Sequence, residues 1–348
     1  MLNKNNSVPS RFELINRAFA PKNESIDIMF LHPPTSAGGD FSHRYGKKDL
    51  GELQGDLIPL GIATLAAYLR EHGFGVAALD CIPLGLSHDE IVEIVKEKKP
   101  RSVGISATTY ALPASTTLCE RLRKEFPNLL IVLGGAHANV AGMHAAENIP
   151  SVDIVSYHPE GEGVTLSLMQ SFEKHNYNRN SFLNDTNELK KIKGIIFKDN
   201  GVVTKTVPGE VIKDLDFLPL PARDLFPLEK YIPLPNQYKR LPLANMIVIR
   251  GCPYVCTFCD QAATTARRRS PQKVVDEIKE IVTKYGVKEI SFWDDTMSYH
   301  KKWMKEFCSL LIDANLDVIW SCYAAVNTVN KEILHLMKKA GCWNIFYG

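Results

Sequence analysis

Short apolar runs alternate with amphipathic segments from residue 25 to about residue 168. Such runs are typical of strands buried on both faces, and the segments between them have the spacing of amphipathic helices. The predicted strands cover residues 26–31, 76–80, 102–106, 129–133 and 154–156. Because strands and helices alternate, the pattern predicts an α/β fold with a doubly wound parallel sheet.

A second series of the same kind begins at residue 244. Its predicted strands cover residues 246–249, 289–293, 318–322 and 343–347, and its predicted helices cover residues 272–285, 301–314 and 331–340. A complete eight-stranded barrel needs about 250 residues. We therefore expect residues 244–348 to form only the N-terminal part of a (β/α) barrel, in a chain truncated after four strands.

The composition changes between the two series. Residues 171–189 are polar and predict a loop, whereas Asn200 and Gly201 lie between two β-rich runs and predict a hairpin. Prolines recur through residues 214–235, which indicates an extended connector. The predicted organisation is an arm (1–24), a sheet domain (25–168), a linker with a β-hairpin (169–243) and a partial barrel (244–348).

Composition and charge narrow the class of protein. A content of 45% hydrophobic and 23% charged residues is that of an ordinary globular protein. The formal net charge of +2 gives no reason to expect a nucleic acid partner. No apolar run is long enough for a transmembrane helix. Eight cysteines are too few for a disulfide scaffold, so a reducing, cytoplasmic location is expected.

Three of the cysteines fall in one short stretch, RGCPYVCTFCD, at residues 250–260. Cys252, Cys256 and Cys259 are spaced C-x3-C-x2-C and follow the first predicted strand of the second series. Three thiolates from one loop can hold three irons of a [4Fe–4S] cluster and leave the fourth iron open to another ligand. A structural zinc site usually takes four ligands, and no fourth Cys or His lies close by in the sequence. A zinc site and a plain structural cluster stay open as alternatives.

The ends of the predicted strands in the first series are rich in small and hydroxyl-bearing residues. Ligands of doubly wound sheets bind beyond the carboxyl ends of the strands. Ser106, Thr108 and Thr109 follow the third strand and offer hydroxyl groups to a polar ligand. Gly134 and Gly135 follow the fourth strand and permit a large group to approach the backbone. These residues predict a site for a flat or elongated ligand, with ordinary strand-end turns as the alternative.

The cysteine stretch resembles the signature of the radical S-adenosylmethionine (SAM) enzymes, CxxxCxΦC, in which the aromatic Φ is Phe258 here. The resemblance implies that Cys252, Cys256 and Cys259 hold a [4Fe–4S] cluster whose open iron binds SAM. Reductive cleavage of SAM then yields a 5′-deoxyadenosyl radical. In that family Phe258 is expected to pack near the SAM adenine.

The same resemblance draws attention to two adjacent acids, Asp294 and Asp295, after the second strand of the second series. The family has similar acids at this place, which implies that one of them contacts the amino group or ribose of SAM. A helix N-cap or an ion pair with the basic run at residues 267–269 is the alternative. The basic run itself is expected to be a solvated loop.

A sheet domain directly before such a barrel resembles the Rossmann-like cobalamin-binding domain of one branch of this superfamily. The matching stretches are PLGIATLAAYLREHG, the glycine pair after the fourth strand and the GEG at residues 161–163. The cobalamin contacts that the resemblance implies are Ser106, Thr108, Gly134, Gly135, Gly161 and Glu162. The chain departs from the cobalamin motif D-x-H-x-x-G, because Asp80 is present but position 82 is Ile.

The resemblance implies an enzyme that methylates an unactivated carbon of a small-molecule, lipid-like or natural-product-like substrate, with the [4Fe–4S] cluster, SAM and cobalamin as cofactors. It also implies an electron donor such as flavodoxin or ferredoxin. A cyclase or other rearrangement enzyme without net methyl transfer is the alternative within the family. A non-catalytic cobalamin sensor with a zinc or structural cluster is the alternative outside it. A methylthiotransferase is disfavoured because Cys81 and Cys119 lie far apart in the sequence.

Overall fold

The computed structural model describes residues 10–19, 25–34 and 57–348. Within these residues the chain divides into two compact units. The first unit contains residues 10–19, 25–34, 61–211 and 221–227, and the second contains residues 57–60, 212–220 and 228–348. The domain boundaries expected at residues 24, 168 and 243 stay predictions.

Strands and helices alternate through the first unit, as the apolar pattern predicts. In chain order they are α1 (Arg11–Arg17), β1 (Ile28–His32), α2 (Leu60–Glu71), β2 (Val76–Asp80), α3 (His88–Lys98), β3 (Ser102–Ser106), α4 (Leu112–Glu125), β4 (Leu130–Gly134), α5 (Ala136–Asn148), β5 (Ile154–Ser156), α6 (Gly161–Lys174), α7 (Arg179–Asn184), α8 (Thr186–Leu189), β6 (Ile195–Asp199) and β7 (Val202–Lys205).

The described strands of this unit form one seven-stranded sheet with the order β2-β1-β3-β4-β5-β6-β7. Strands β1 to β5 pair in parallel, and all five residues of β2 are buried. Helices on both faces account for this burial, since a parallel sheet needs crossover connections that cover it. The predicted α/β fold with a doubly wound parallel sheet is confirmed.

Two expectations for the segment after α6 need correction. The hairpin around Asn200 is present, with Asn200 at a φ of 48°, but its strand β6 pairs antiparallel with β5 and extends the sheet. The prediction of a loop at residues 171–189 is wrong, because this stretch contains the end of α6 and the short helices α7 and α8. Phe182 and Leu189 are fully buried, and their burial holds this polar stretch in helical form.

The second unit repeats the alternation. Its elements are β8 (Leu243–Met246), β9 (Ile249–Arg250), β10 (Arg267–Arg268), α9 (Pro271–Tyr285), β11 (Glu289–Phe292), α10 (Lys301–Asp313), β12 (Ile319–Ala324), α11 (Lys331–Lys339) and β13 (Cys342–Tyr347). In the described residues, four of these strands form a parallel sheet with the order β13-β12-β11-β8, and β9 pairs antiparallel with β10. The single strand expected at residues 246–249 is therefore two strands, since β8 ends at Met246 and β9 begins at Ile249.

The helices pack on one face of this second sheet. Phe292, Phe307 and Trp320 meet there edge to face, with ring centroids 5.5–5.7 Å apart. All three rings are buried, and aromatic pairs in this geometry add to the stability that burial alone provides. Among the helices that the structure describes, none has the length and apolar character needed to cross a bilayer.

A buried carboxylate ties the helices of the first unit to its sheet. Asp153, just before β5, accepts hydrogen bonds from the guanidinium groups of Arg123 and Arg179, each at 2.6 Å. It also accepts one from the backbone N–H of Ile131 at 2.9 Å. The Asp153 side chain is 3% exposed, so loss of its charge leaves two cations with little solvent to replace it.

We expect Asp153→Ala to lower the free energy of unfolding of the first unit by roughly 3–5 kcal/mol, because the two guanidinium groups lose a buried partner. Urea denaturation followed by circular dichroism measures the change. The matched control is Asp224→Ala, which removes the more exposed pair with Arg70 and should cost about 1 kcal/mol or less. Equal losses for the two variants contradict this account of Asp153.

Candidate functional site

The three clustered cysteines lie in a loop that is closed at its base. Strands β9 and β10 pair Arg250 with Arg267 and Ile249 with Arg268, so residues 251–266 leave and return at the same place. Gly251 opens this loop at a φ of +87°, and an added Cβ would lie 2.5 Å from the carbonyl oxygen of Thr265. Only glycine fits there without a shift of the backbone. We call residues 251–266 the cysteine loop.

The cysteine loop is held in shape by its own backbone. Thr264 binds Cys252 twice, since the Thr264 hydroxyl accepts from the Cys252 N–H at 2.8 Å and the Thr264 N–H donates to the Cys252 carbonyl at 2.9 Å. The Ala263 N–H donates to the Tyr254 carbonyl at 2.7 Å. The Tyr254 hydroxyl in turn donates to Asn327, which follows β12, at 3.2 Å. The loop is therefore anchored across the carboxyl end of the sheet.

The thiols themselves are accessible. Cys256 is exposed, Cys252 and Cys259 are half-buried, and all three are free. Within the described residues, no three His, Cys, Asp or Glu side chains are grouped closely enough to hold a metal ion, so the structure does not draw the three sulfurs together. Phe258 is 91% exposed, and its expected packing near the SAM adenine stays a prediction.

The donor set nevertheless fits an iron–sulfur cluster. Three unpaired thiols on one anchored loop match the thiolate ligands that such clusters take, and their exposure leaves them able to turn toward a common centre. Cys119 and Cys308 differ in this respect, because burial raises the pKa of each to about 12. Those two thiols are packing residues of the two cores, as their positions in helical patterns suggest.

The two adjacent acids after β11 are distinguished by the structure. Asp294 is buried, and its Oδ1 accepts hydrogen bonds from the N–H groups of Val248 at 2.7 Å and Ile249 at 2.6 Å. Its Oδ2 is buried with no hydrogen-bond partner among the described residues. Burial raises the pKa of Asp294 to about 7, against the lowering effect of the two N–H donors. Asp294 thus fixes the strand that leads into the cysteine loop.

Asp295 is the solvent-facing member of the pair. Its side chain is exposed, and its pKa is raised, first by partial burial and second by the charge of Asp260, which follows Cys259. The carboxylates of Asp260 and Asp295 therefore face the region beside the cysteine loop. Such a pair favours a cationic ligand.

The basic run at residues 267–269 is not the solvated loop expected from the sequence. Arg269 is buried and pairs with Glu277 of α9 at 2.6 Å, while its carbonyl accepts from the indole N–H of Trp303 at 2.7 Å. Arg267 is half-buried and donates to the carbonyl of Ile212 at 2.6 Å. The run packs the base of the cysteine loop against the helices, and neither acid after β11 pairs with it in the described residues.

The residues expected to bind cobalamin lie together on one edge of the first sheet. Adjacent strands β3, β4 and β5 end there, and the helices α5 and α6 start beyond β4 and β5 without a side-chain cap. Ser106 and Gly161 are half-buried, Thr108 is exposed, and Glu162 is buried. Uncapped helix N-termini at such an edge are suited to phosphate groups.

The glycine pair after β4 divides into two roles. Gly135 has a φ of +91°, and an added Cβ would lie 2.7 Å from the backbone nitrogen of Ala107, so the protein itself already fills the space expected for a ligand. Gly134 is different, because its nearest neighbour would be Ser156 at 4.0 Å. Of the two, Gly134 leaves room for an incoming group.

Two histidines lie at the same edge, His32 at the end of β1 and His137 at the start of α5. His137 is buried, its Nδ1 lies 3.1 Å from the Thr109 hydroxyl, and its Nε2 has no hydrogen-bond partner among the described residues. His32 ends β1, and its Nδ1 lies 3.0 Å from Oδ1 of Asp80 at the end of β2. A polar atom buried without a partner at a ligand-binding edge fits a cofactor site. The available signal is their position along the chain, since His32 ends β1 and His137 comes three residues after the end of β4.

Two family profiles match the chain. One, described as the B12 binding domain, matches residues 46–165, and the other, described as the Radical SAM superfamily, matches residues 246–348. The first match contains the ends of β3, β4 and β5, and the second contains the cysteine loop.

Curated relatives carry both parts. An uncharacterized methyltransferase of Pyrococcus horikoshii is 31% identical over 293 residues, which cover 83% of this chain and 60% of that protein. The anaerobic magnesium-protoporphyrin IX monomethyl ester cyclase of Rubrivivax gelatinosus is 30% identical over 327 residues, which cover 92% of this chain and 55% of that protein. The chain thus spans less than two thirds of the length of either relative.

A solved structure has the same fold. The radical S-adenosylmethionine methyltransferase of Kitasatospora setae, with cobalamin and a [4Fe–4S] cluster bound, matches with a TM-score of 0.70 at 16% identity, over 93% of this chain and 61% of that chain. The two profile matches, the relatives and this fold agree with the geometry of the two sheet edges. The chain therefore belongs to the cobalamin-binding radical SAM family, whose cofactors are a [4Fe–4S] cluster, SAM and cobalamin.

Proposed function

We propose that this chain cleaves SAM reductively to a 5′-deoxyadenosyl radical and uses cobalamin to methylate an unactivated carbon of a small-molecule substrate. The observation that carries the proposal is the cysteine loop, with three free thiols on an anchored backbone at the carboxyl end of a parallel sheet. When bound, the cluster supplies the electron for SAM cleavage and cobalamin carries the methyl group. A reductant such as flavodoxin or ferredoxin is needed to supply that electron.

The cysteines and their supports have separate roles in this proposal. Cys252, Cys256 and Cys259 supply the thiolates, while Thr264 and Gly251 fix the path of the loop. These three thiolates would hold three irons of the cluster, which would leave the fourth iron open to SAM.

Asp294 and Asp295 have different roles in this proposal. Asp294 is committed to the N–H groups of Val248 and Ile249, so it positions the start of the loop. Asp295 is exposed beside Asp260 and is the acid that attracts the cationic SAM. SAM carries a sulfonium group, and two carboxylates near the cysteine loop favour this cation.

On the first sheet, the edge formed by β3, β4 and β5 is the proposed cobalamin site. Ser106, Thr108, Gly161 and Glu162 are the proposed contacts, and His137 is added because its Nε2 is buried without a partner among the described residues. Gly134 gives the space for the nucleotide tail to approach the backbone.

A second candidate function is ring closure or another rearrangement without net methyl transfer. It is favoured by three relatives named anaerobic magnesium-protoporphyrin IX monomethyl ester cyclases, which are 29–30% identical to this chain over 92% of its length. The product distinguishes the two functions, since only methylation adds a carbon from SAM to the substrate.

We expect anaerobic reconstitution of the chain to bind about four irons. Cys256→Ala should lose most of that iron and all reductive SAM cleavage, because a three-thiolate site loses a ligand. Iron assay and detection of 5′-deoxyadenosine measure the two effects. The control is Cys342→Ala, a half-buried thiol outside the loop, which should keep both. Full iron content in Cys256→Ala, or stoichiometric zinc in the parent chain, contradicts the proposal.

We expect Asp295→Asn to weaken SAM binding by about tenfold while iron content stays unchanged, since one charge facing a cationic ligand is removed. Equilibrium dialysis of labelled SAM against the reconstituted chain gives the affinity. Asp276→Asn, which neutralises an acid on α9 that bonds Gln272, is the matched control and should leave the affinity as it is. An Asp295 variant with unchanged affinity removes this residue from the SAM site.

We expect the free energy of unfolding of the second unit to fall as the pH rises from about 4 to 7. The pKa of Asp294 is raised to about 7 in the fold, so the folded state holds a proton that the unfolded state releases above its usual value of 3.8. Asp294→Asn should flatten this part of the profile, because the amide does not titrate. Urea melts at a series of pH values measure it. An equal pH slope in both proteins shows that Asp294 is not the group responsible.

A further inference from the structure

Positive charge collects where α9 and α10 begin, at the base of the cysteine loop. Arg268 lies on β10, Lys273 lies in the first turn of α9, and Lys301 and Lys302 open α10. The three lysines are exposed, and Arg268 is half-buried. We call these four residues the cationic rim.

Backbone and side-chain contacts bring both helix starts to the cysteine loop. Arg268 pairs with Ile249 in the β9–β10 ladder that closes the loop. Helix α9 begins at Pro271, shortly after this ladder, and α10 packs beside α9. Trp303, in the first turn of α10, donates its indole N–H to the carbonyl of Arg269 at 2.7 Å. The cationic rim therefore lies beside the loop that carries the three thiols.

The surroundings of His300 show that charges of the cationic rim lie close to one another. His300 is the N-cap of α10, and its Nδ1 accepts a hydrogen bond from the N–H group of Trp303 at 3.1 Å. Partial burial lowers the pKa of His300, and the charges of Arg268 and Lys302 lower it further. Two cations from separate elements therefore act on the same ring.

Ion pairs do not neutralise the cationic rim. Among the residues that the structure describes, no carboxylate pairs with a side chain of the rim, and Nη1 of Arg268 is buried without a hydrogen-bond partner. Three nearby acids have other partners, namely Arg269 for Glu277, Gln272 for Asp276 and the N–H group of Ser270 for Asp216. Glu306 is an exposed acid one turn beyond Lys302. The rim thus keeps a net positive charge.

The lysines of the cationic rim lie where a helix disfavours cations. Neither α9 nor α10 has an acid in its first turn, and the rim lysines occupy both first turns. Because the N-terminus of a helix carries partial positive charge, cations there reduce stability. Helix α11 has the usual arrangement, with Glu332 in its first turn and Lys338 and Lys339 in its last. Charges that work against the fold indicate a use outside it.

We propose that the cationic rim is the docking surface for the electron donor, and that this donor is a small one-electron carrier protein with an acidic surface. The assignment rests on the proposed function, because that function requires an electron at the cysteine loop. Opposite charges speed the encounter of two proteins and fix their orientation. The carrier is oxidised by one electron and the cluster is reduced by one, so no bond forms or breaks.

The SAM site and the cationic rim differ in the sign of their charge. Asp260 and Asp295 are the acids proposed to attract the cationic SAM, whereas the rim attracts anions. The two partners of the cysteine loop are therefore drawn to different residues. A change of charge on the rim should alter docking of the carrier and leave SAM binding as it is.

The test uses the full reconstituted chain, with flavodoxin as the carrier and dithionite as a small reductant that needs no docking surface. For Lys301→Glu/Lys302→Glu we expect about tenfold weaker flavodoxin binding at low salt, measured by calorimetry. Formation of 5′-deoxyadenosine at limiting flavodoxin should fall to match, and formation driven by dithionite should equal that of the parent. The matched control, Lys338→Glu/Lys339→Glu on α11, should keep the parent values throughout.

Salt and heat add two further readouts. The difference between the two double variants should shrink as ionic strength rises from about 0.01 M to 0.15 M, because the screening length falls from roughly 30 Å to 8 Å. Lys301→Glu/Lys302→Glu should melt no lower than the parent, since it removes two cations from a helix N-terminus.

Equal flavodoxin binding by the two double variants overturns the proposal, as does a difference between them that salt leaves unchanged. Loss of dithionite-driven cleavage in Lys301→Glu/Lys302→Glu also overturns it, because the rim is then needed by the cysteine loop itself. A parent chain that cleaves SAM with dithionite and does not bind flavodoxin rejects the docking surface alone. About four bound irons without dithionite-driven cleavage reject the proposed function.

Discussion

The carboxylate of Asp294 ties the carboxyl end of β11 to the entrance of the cysteine loop. Its Oδ1 accepts from two successive backbone N–H groups at 2.6–2.7 Å in a buried setting. These bonds cross the break between β8 and β9, where the sheet has no ladder of its own. These bonds fix the backbone from which the cysteine loop starts, and the positions of its three thiols depend on that start.

The first unit obeys a similar constraint at its own edge. Because both faces of the sheet are buried, a ligand can reach the strands only at their carboxyl ends. Polar and small residues therefore lie at these ends. Gly135 shows that such a residue can serve the fold alone, since the backbone of Ala107, just after β3, already fills the space beside it. Gly134 and His137 are the positions where space or an unmatched polar atom, among the described residues, is left for a ligand.

Local patterns predicted the strands and the cysteine loop well, because apolar runs and cysteine spacing are written in consecutive residues. They did not predict which of the two adjacent acids is buried, because Asp294 and Asp295 are the same residue type and only the fold turns Asp294 into the core. They also missed the helices in residues 171–189, where Phe182 and Leu189 override a polar composition by burial. They could not predict the contact among Trp293, Tyr323 and Phe346, because these residues meet only through the register of three strands.

The central claim is that three thiolates leave one iron open to SAM. Electron paramagnetic resonance of the reduced, reconstituted chain, recorded with and without SAM, tests it most directly. The account predicts a [4Fe–4S] signal whose g values shift when SAM is added, since SAM then binds the open iron. A signal that SAM leaves unchanged, or a colourless protein that holds zinc, contradicts it.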